Sequence, residues 1–191
     1  MTPPRIRVVR GSLTDGDESV LVNASNTNVA LGSGVSAAIR AACGPGYQEH
    51  IQRALEETFG RAMEPGEVLV TDAGAHPRAR WVAHVAVMDY REGAASPSPT
   101  VATIEAGCRR LWEAVEALGE ESTVAMVALG AGVGGLGVRE PTRVACETLR
   151  AHLAATPGSV LRGVTFFGWS EADEATIAEV VRSAFPAAER G

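Results

Sequence analysis

The sequence predicts an α/β protein, a three-layer α/β/α sandwich whose mainly parallel mixed sheet is covered on both faces. Two observations carry this reading. Six Val-rich runs of strand length are bounded by Gly, Asp or Pro, and stretches with apolar residues every third and fourth position lie between most of them and after the last. Strands alternating with helices put helices on both sides of a sheet, and runs that are apolar throughout suit strands buried on both faces.

Taken in order, the strand-like runs are "IRVVR" (6–10), "SVLVNA" (19–24), "EVLVTDA" (67–73), "WVAHVAV" (81–87), "TVAMVAL" (123–129) and "GVTFFGW" (163–169). Helical spacing occupies 34–43, 46–59, 100–118, 140–154 and 171–185; in the third, Ile104, Cys108, Leu111, Trp112 and Val115 share one face. Helix starts agree. Thr100 follows Pro99, Glu140 precedes Pro141 at a first-turn position, and Ser170 is followed by Glu171 and Asp173. The tract "REGAASPSPT" (91–100), with its Ser/Pro core at 94–99, reads as a surface excursion rather than a domain boundary, because α/β alternation resumes after it. No internal repeat occurs, and 191 residues with 46% hydrophobic content suit a single domain over 1–191.

A formal net charge of -6 argues against nucleic acid as a partner, since neutralising phosphates needs clustered Lys or Arg. No apolar run approaches the roughly 18 residues of a membrane span, and Met1–Arg10 carries Pro and Arg where a secretion signal needs an apolar block, so a cytoplasmic protein without a membrane partner is expected. Cys43, Cys108 and Cys146 sit in apolar helical patterns with no zinc spacing, which makes them small core residues and leaves no metal site.

Two glycine-rich loops leave carboxyl ends of strands, where open α/β sheets bind ligands. The first runs from Ser25 to Gly34 and leads into a helix; the second reads "GAGVGGLGV" (130–138). Glycines allow close backbone approach, and successive amides at turns and helix starts attract anions without any basic side chain. Two readings stand for each loop alone, a phosphate cradle and a set of tight turns; the pair favours the cradle. Neither loop is followed by Gly-Lys-Ser/Thr, and the first lacks the dinucleotide GxGxxG spacing.

These residues resemble the macrodomain family, modules that bind ADP-ribose in a cleft of an α/β/α sandwich. The resemblance runs from "VVRGSLT" (8–14) through "LVNASNTNVALGSGVSAAIRAACG" (21–44), "EPGEVLVTDAG" (64–74), "ARWVAHVAV" (79–87) and "ALGAGVGGLGV" (128–138) to "VTFFGWSEAD" (164–173). Its most specific part is Asn23-Ala24-Ser25-Asn26 followed by Gly32-Ser33-Gly34-Val35. The resemblance implies binding of ADP-ribose or ADP-ribosylated molecules and no cofactor. It gives Asn26 a hydrogen bond to the distal ribose, surrounds that ribose and the diphosphate with Gly32, Ser33, Gly34, Val35 and Ser36, and closes Gly130, Ala131, Gly132, Val133, Gly134, Gly135 and Leu136 over the diphosphate. Asn23 and Ala24 belong to the same motif. Trp169 matches a position of an aromatic residue beside adenine; the other reading is a Trp that covers the last helix.

Three positions depart from the family pattern. Gly11-Ser12-Leu13 stands where many members have Gly-Asp-Ile, so a hydroxyl replaces the carboxylate that accepts from the adenine amino group. Ser36 stands where active mono-ADP-ribosyl hydrolases carry Asp, which removes an acid/base or water-positioning group. Gly134 occupies a place often held by an aromatic residue, so less cover over the distal ribose is expected. His84, between Val82 and Val85, reads as a core histidine. Asn26 is the one candidate catalytic residue: its amide does not titrate but can position water or ribose hydroxyls. The reading is therefore an ADP-ribose binder; the alternative is a slow hydrolase acting on the distal ribose, on O-acetyl-ADP-ribose, ADP-ribose 1''-phosphate or a mono-ADP-ribosyl group.

Overall fold

The structure is a computed structural model that describes residues 3–132 and 134–186. Strands β1 (Arg5–Arg10), β2 (Val20–Asn26), β3 (Val68–Asp72), β4 (Trp81–Met88), β5 (Ser122–Met126) and β6 (Leu161–Gly168) form one sheet in the order β1-β6-β5-β2-β4-β3. All pairs are parallel except β3 with β4. That exception has a simple cause: only residues 73–80 join the two strands, too few for the crossover that a parallel neighbour requires.

Helices α1 (Gly34–Cys43) and α2 (Tyr47–Phe59) cover one face, and α3 (Val101–Ala117), α4 (Arg139–Ala155) and α5 (Glu171–Ala184) cover the other. Side-chain alternation along β2 divides the core accordingly. Val20 and Val22 face α3, α4 and α5, where Leu111, Trp112 and Leu149 are buried; Leu21 faces α1 and α2, where Ile39, Ile51 and Leu55 are buried. The central strands are therefore apolar on both sides, whereas β1 and β3, at the sheet edges, alternate in burial.

The predicted elements all form, with ends shifted by a few residues. Thr100 caps α3 by accepting from Thr103 N, and Ser170 and Asp173 form a reciprocal capping box on α5. Helix α4 begins at Arg139, so Pro141 sits in its first turn but not at the first position. A 3-10 turn over Leu13–Asp15, absent from the sequence reading, carries the chain from β1 toward β2.

The topology positions a crevice. Adjacent strands β2 and β5 send their chains to opposite faces, β2 into α1 and β5 into α4, so the two loops diverge and leave a gap above the sheet. Both glycine-rich loops border that gap.

Candidate ligand-binding cleft

A cleft of about 310 Å³ opens beyond the carboxyl ends of β2, β4 and β5. Its walls are Ala24–Asn26 and Gly32–Ser36 on one side, Gly130–Gly132 with Gly134 on the other, and Met88, Tyr90, Val127 and Ala128 between and beyond them. No Asp, Glu, Lys, Arg, His or Cys is among these lining residues. Any anion held here meets backbone dipoles rather than a counter-charge.

The first loop is fastened by side chains. Asn26 Oδ1 accepts from Asn28 N and Ala30 N, both at 3.1 Å, while its Nδ2 donates to Ala30 O at 2.9 Å. Asn26 is the last residue of β2, where the pairing with β4 steps from Ser25–Ala86 to Asn26–Met88 and leaves Val87 as the extra residue of β4. From α2, Gln48 accepts from Leu31 N at 2.7 Å and donates to Val29 O at 3.0 Å, and Gln52 donates to Asn28 O at 2.8 Å. Together these bonds hold Val29 at φ 47, a left-handed conformation that a β-branched residue adopts only under constraint. Asn26 keeps one N–H uncommitted, since an amide nitrogen has two and one goes to Ala30. It can therefore donate to a ligand hydroxyl but cannot take up a proton.

Helix α1 begins in this loop without a cap. Ser33 is extended and its side chain makes no capping bond, and Gly34, at φ +55, turns the chain into the helix. The first amides of α1, which have no partner inside the helix, thus border the cleft at Gly34, Val35 and Ser36. Space beside Gly34 and Gly132 is open: a Cβ built on either meets nothing within 4 Å.

The second loop is packed instead. A Cβ on Gly134 would lie 2.4 Å from Gly130 O and 2.6 Å from Pro99 Cγ, and one on Gly130 would lie 2.9 Å from the same proline carbon. Only glycine permits this approach. Pro99 is buried, so the tract read as a surface excursion contributes the buttress of the loop, and its far end is tied back to the end of β4 by Asp89 N donating to Pro97 O at 3.1 Å. Turn bonds from Ala131 N to Ala128 O and from Gly135 N to Gly132 O complete the loop. Gly135 and Leu136 do not line the cleft, and Leu136 packs toward the core. Val133 lies outside the described residues.

Several candidate residues sit elsewhere. Asn23 is fully buried below the cleft floor: it accepts from Ser36 Oγ at 2.8 Å, and its Nδ2 lies 3.1 Å from His84 Nδ1. The alternation of β2 turns Asn23 toward α1, so it steadies Ser36 rather than bordering the ligand space. Leu13 is a core residue. Ser12 caps the 3-10 turn, pairs with Thr14 Oγ1 at 2.8 Å and lines a separate groove of about 260 Å³ with Arg7, Arg10, Glu18 and Thr165. Trp169, just past β6, is 80% exposed, which excludes the reading that it covers α5.

His84 continues the network under α1. Its Nε2 lies 3.3 Å from Thr71 Oγ1, which pairs with Tyr47 OH at 3.0 Å, and Tyr47 donates to Asp72 O at 3.2 Å. Complete burial, with a smaller contribution from His50, holds its pKa down to about 3, so the imidazole stays neutral. It is a core hydrogen-bonding group and is not among the residues lining the cleft. Burial pushes the Cys43 thiol up to about 11 and those of Cys108 and Cys146 up to about 12, which leaves them unreactive. The sequence reading missed Tyr90, Met88, Val87, Val127, Ala128, Ala30 and Ser25 as lining residues and Pro99 as a buttress. Position alone could have pointed to the first four, which lie at or just beyond the ends of β4 and β5.

Comparison with known proteins bears on this geometry. Residues 22–145 match the family model described as Macro domain. A macro domain-containing protein of Streptomyces griseus is 32% identical over 85% of this chain and 88% of its own length. A relative from Enterobacter sp., named O-acetyl-ADP-ribose deacetylase, is 30% identical over 81% of this chain and 82% of its own. An uncharacterized protein of Mycobacterium tuberculosis is 31% identical over 97% of this chain, which spans only 47% of that longer relative. Among solved structures, the Trypanosoma brucei macrodomain in complex with ADP-ribose superimposes with a TM-score of 0.77 at 25% identity, covering 93% of this chain and 69% of that one. With the match covering most of the sheet and both glycine-rich loops, the chain belongs to the Macro domain family.

Proposed function

We propose that this protein binds ADP-ribose or ADP-ribosyl groups in the cleft between the two glycine-rich loops. The diphosphate rests on the first amides of α1 at Gly34, Val35 and Ser36, and on the turn at Gly130–Gly132. The distal ribose lies beside Asn26, whose free N–H donates to a hydroxyl, and adenine lies toward Trp169. One observation carries this reading: an uncapped helix start borders a cleft lined without a single formal charge. Such a site favours a diphosphate through dipoles in fixed positions. Calorimetric titration with ADP-ribose tests it. Saturable 1:1 binding is expected, and its absence overturns the reading.

A second reading, slow hydrolysis at the distal ribose, is favoured by the likeness to the relative named O-acetyl-ADP-ribose deacetylase. Here the cleft supplies no carboxylate or imidazole, because Ser36 stands where an acid would and its hydroxyl is committed to Asn23. Water must then be activated by the ligand's own diphosphate and oriented by Asn26. Product release from O-acetyl-ADP-ribose, compared between the native protein and Asn26→Ala, separates the readings; turnover that depends on Asn26 makes the protein an enzyme, and no turnover leaves it a binder.

A further inference from the structure

Four large apolar side chains are exposed among the described residues, Val9, Tyr90, Val101 and Trp169, and of these only Tyr90 lines the cleft. Tyr90 is 47% exposed, yet its backbone is fixed on both sides. Tyr90 N donates to Thr27 Oγ1 at 2.9 Å, Asn28 Nδ2 donates to Tyr90 O at 3.1 Å, and the preceding Asp89 is held by Arg91, which also pairs with Glu64. A solvated aromatic ring on a rigid base is well suited to contact, since it brings a large area with only two rotatable bonds.

The sheet order gives the ring its place. Along the rim run Trp169 after β6, the second glycine loop after β5, the first after β2, and Tyr90 after β4. Three strand spacings separate the ends of this row, about 14 Å. An elongated ligand laid along it meets an aromatic ring at each end and glycine backbone in the middle. The second loop cannot supply cover at Gly134, because Pro99 and Gly130 O fill the space that a side chain would need.

We infer that Tyr90 is a specificity-determining residue for the part of the ligand beyond the diphosphate: its ring packs against the face of the distal sugar and selects nucleoside diphosphates extended by a second ribose. This rests on the ADP-ribose reading above. The test is calorimetric titration of ADP-ribose and of ADP, which lacks the second sugar, into the native protein, Tyr90→Ala and Tyr90→Phe. Tyr90→Ala is expected to weaken ADP-ribose about tenfold and ADP less than about twofold, while Tyr90→Phe stays within about threefold of native for both. Equal weakening of the two ligands by Tyr90→Ala, no weakening of either, or a Tyr90→Phe protein as impaired as Tyr90→Ala overturns the inference. Failure of the native protein to bind either nucleotide instead defeats the reading of the cleft itself.

Discussion

The two glycine-rich loops face each other across one cleft but are held by different physics. The first is tied by polar side chains: Asn26 within the loop, Gln48 and Gln52 from α2, and the Ser36-Asn23-His84 network beneath α1. The second is wedged, with Gly130 and Gly134 pressed against Pro99 so closely that no side chain fits. Hydrogen bonds define distance and direction and can be lost one at a time; a packed contact tolerates no added volume. The first loop should therefore weaken by degrees under substitution and respond to pH, and the second should fail abruptly when a methyl group is added.

The largest effect is expected at Gly134. Gly134→Val forces its Cβ into Gly130 O and Pro99, at a cost of about 1–3 kcal/mol in stability together with loss of ADP-ribose binding. Gly132→Val, placed in open space at the cleft wall, should abolish binding while leaving the thermal midpoint nearly unchanged. If both substitutions lower the midpoint equally, the wedge account fails.

Next comes acid sensitivity beneath the first loop. The unfolded chain protonates His84 near its usual value of about 6.5, whereas the native imidazole resists down to about 3, so the unfolded state binds more protons between these values. Stability from this residue is complete above pH 6.5 and is lost as pH falls. Between pH 6.5 and 5, above the range where carboxylates titrate, the loss amounts to about 2 kcal/mol. Denaturant midpoints across that window measure it. His84→Gln should be less stable at neutral pH but give a flatter profile, and an unchanged slope would remove His84 as the source.

Gln48→Ala deletes two bonds to the first loop, to Leu31 N and Val29 O, and should cost about 1–2 kcal/mol, with weaker ADP-ribose binding that calorimetry can compare with Gln52→Ala. Salt provides the smallest effect. Because no charged side chain is among the described residues lining the cleft, ADP-ribose affinity should change less than about twofold between about 0.05 and 0.3 M salt. A steep decline would require a basic contact, and none is among the described residues that line the cleft.

How much of this could be read from residues depends on the range of the interaction. The elements were legible because apolar periodicity, Gly/Pro boundaries and caps such as Ser170 with Asp173 act within a few positions. The loops were legible for the same reason. Legibility stopped where orientation mattered. Asn23 and Asn26 lie three positions apart in one motif, yet the first is buried against His84 and the second borders the cleft, because residues three apart in a strand face opposite sides and Asn26 stands at the end of β2. Ser12, grouped with the site by resemblance, pairs with Thr14 and lines a different groove.

By itself, then, the order of residues determined the strands, the helices, their alternation and the two stretches of exposed backbone, all of which follow from local propensity and spacing. The tertiary structure alone decided that Tyr90, just past β4, and Pro99, from a Ser/Pro tract with no motif, stand at the wall of the cleft and behind it. The physical reason is that cleft walls are assembled from strand ends adjacent in the sheet, and the neighbours β2, β4 and β5 are brought together by long-range pairing that no short window of sequence encodes.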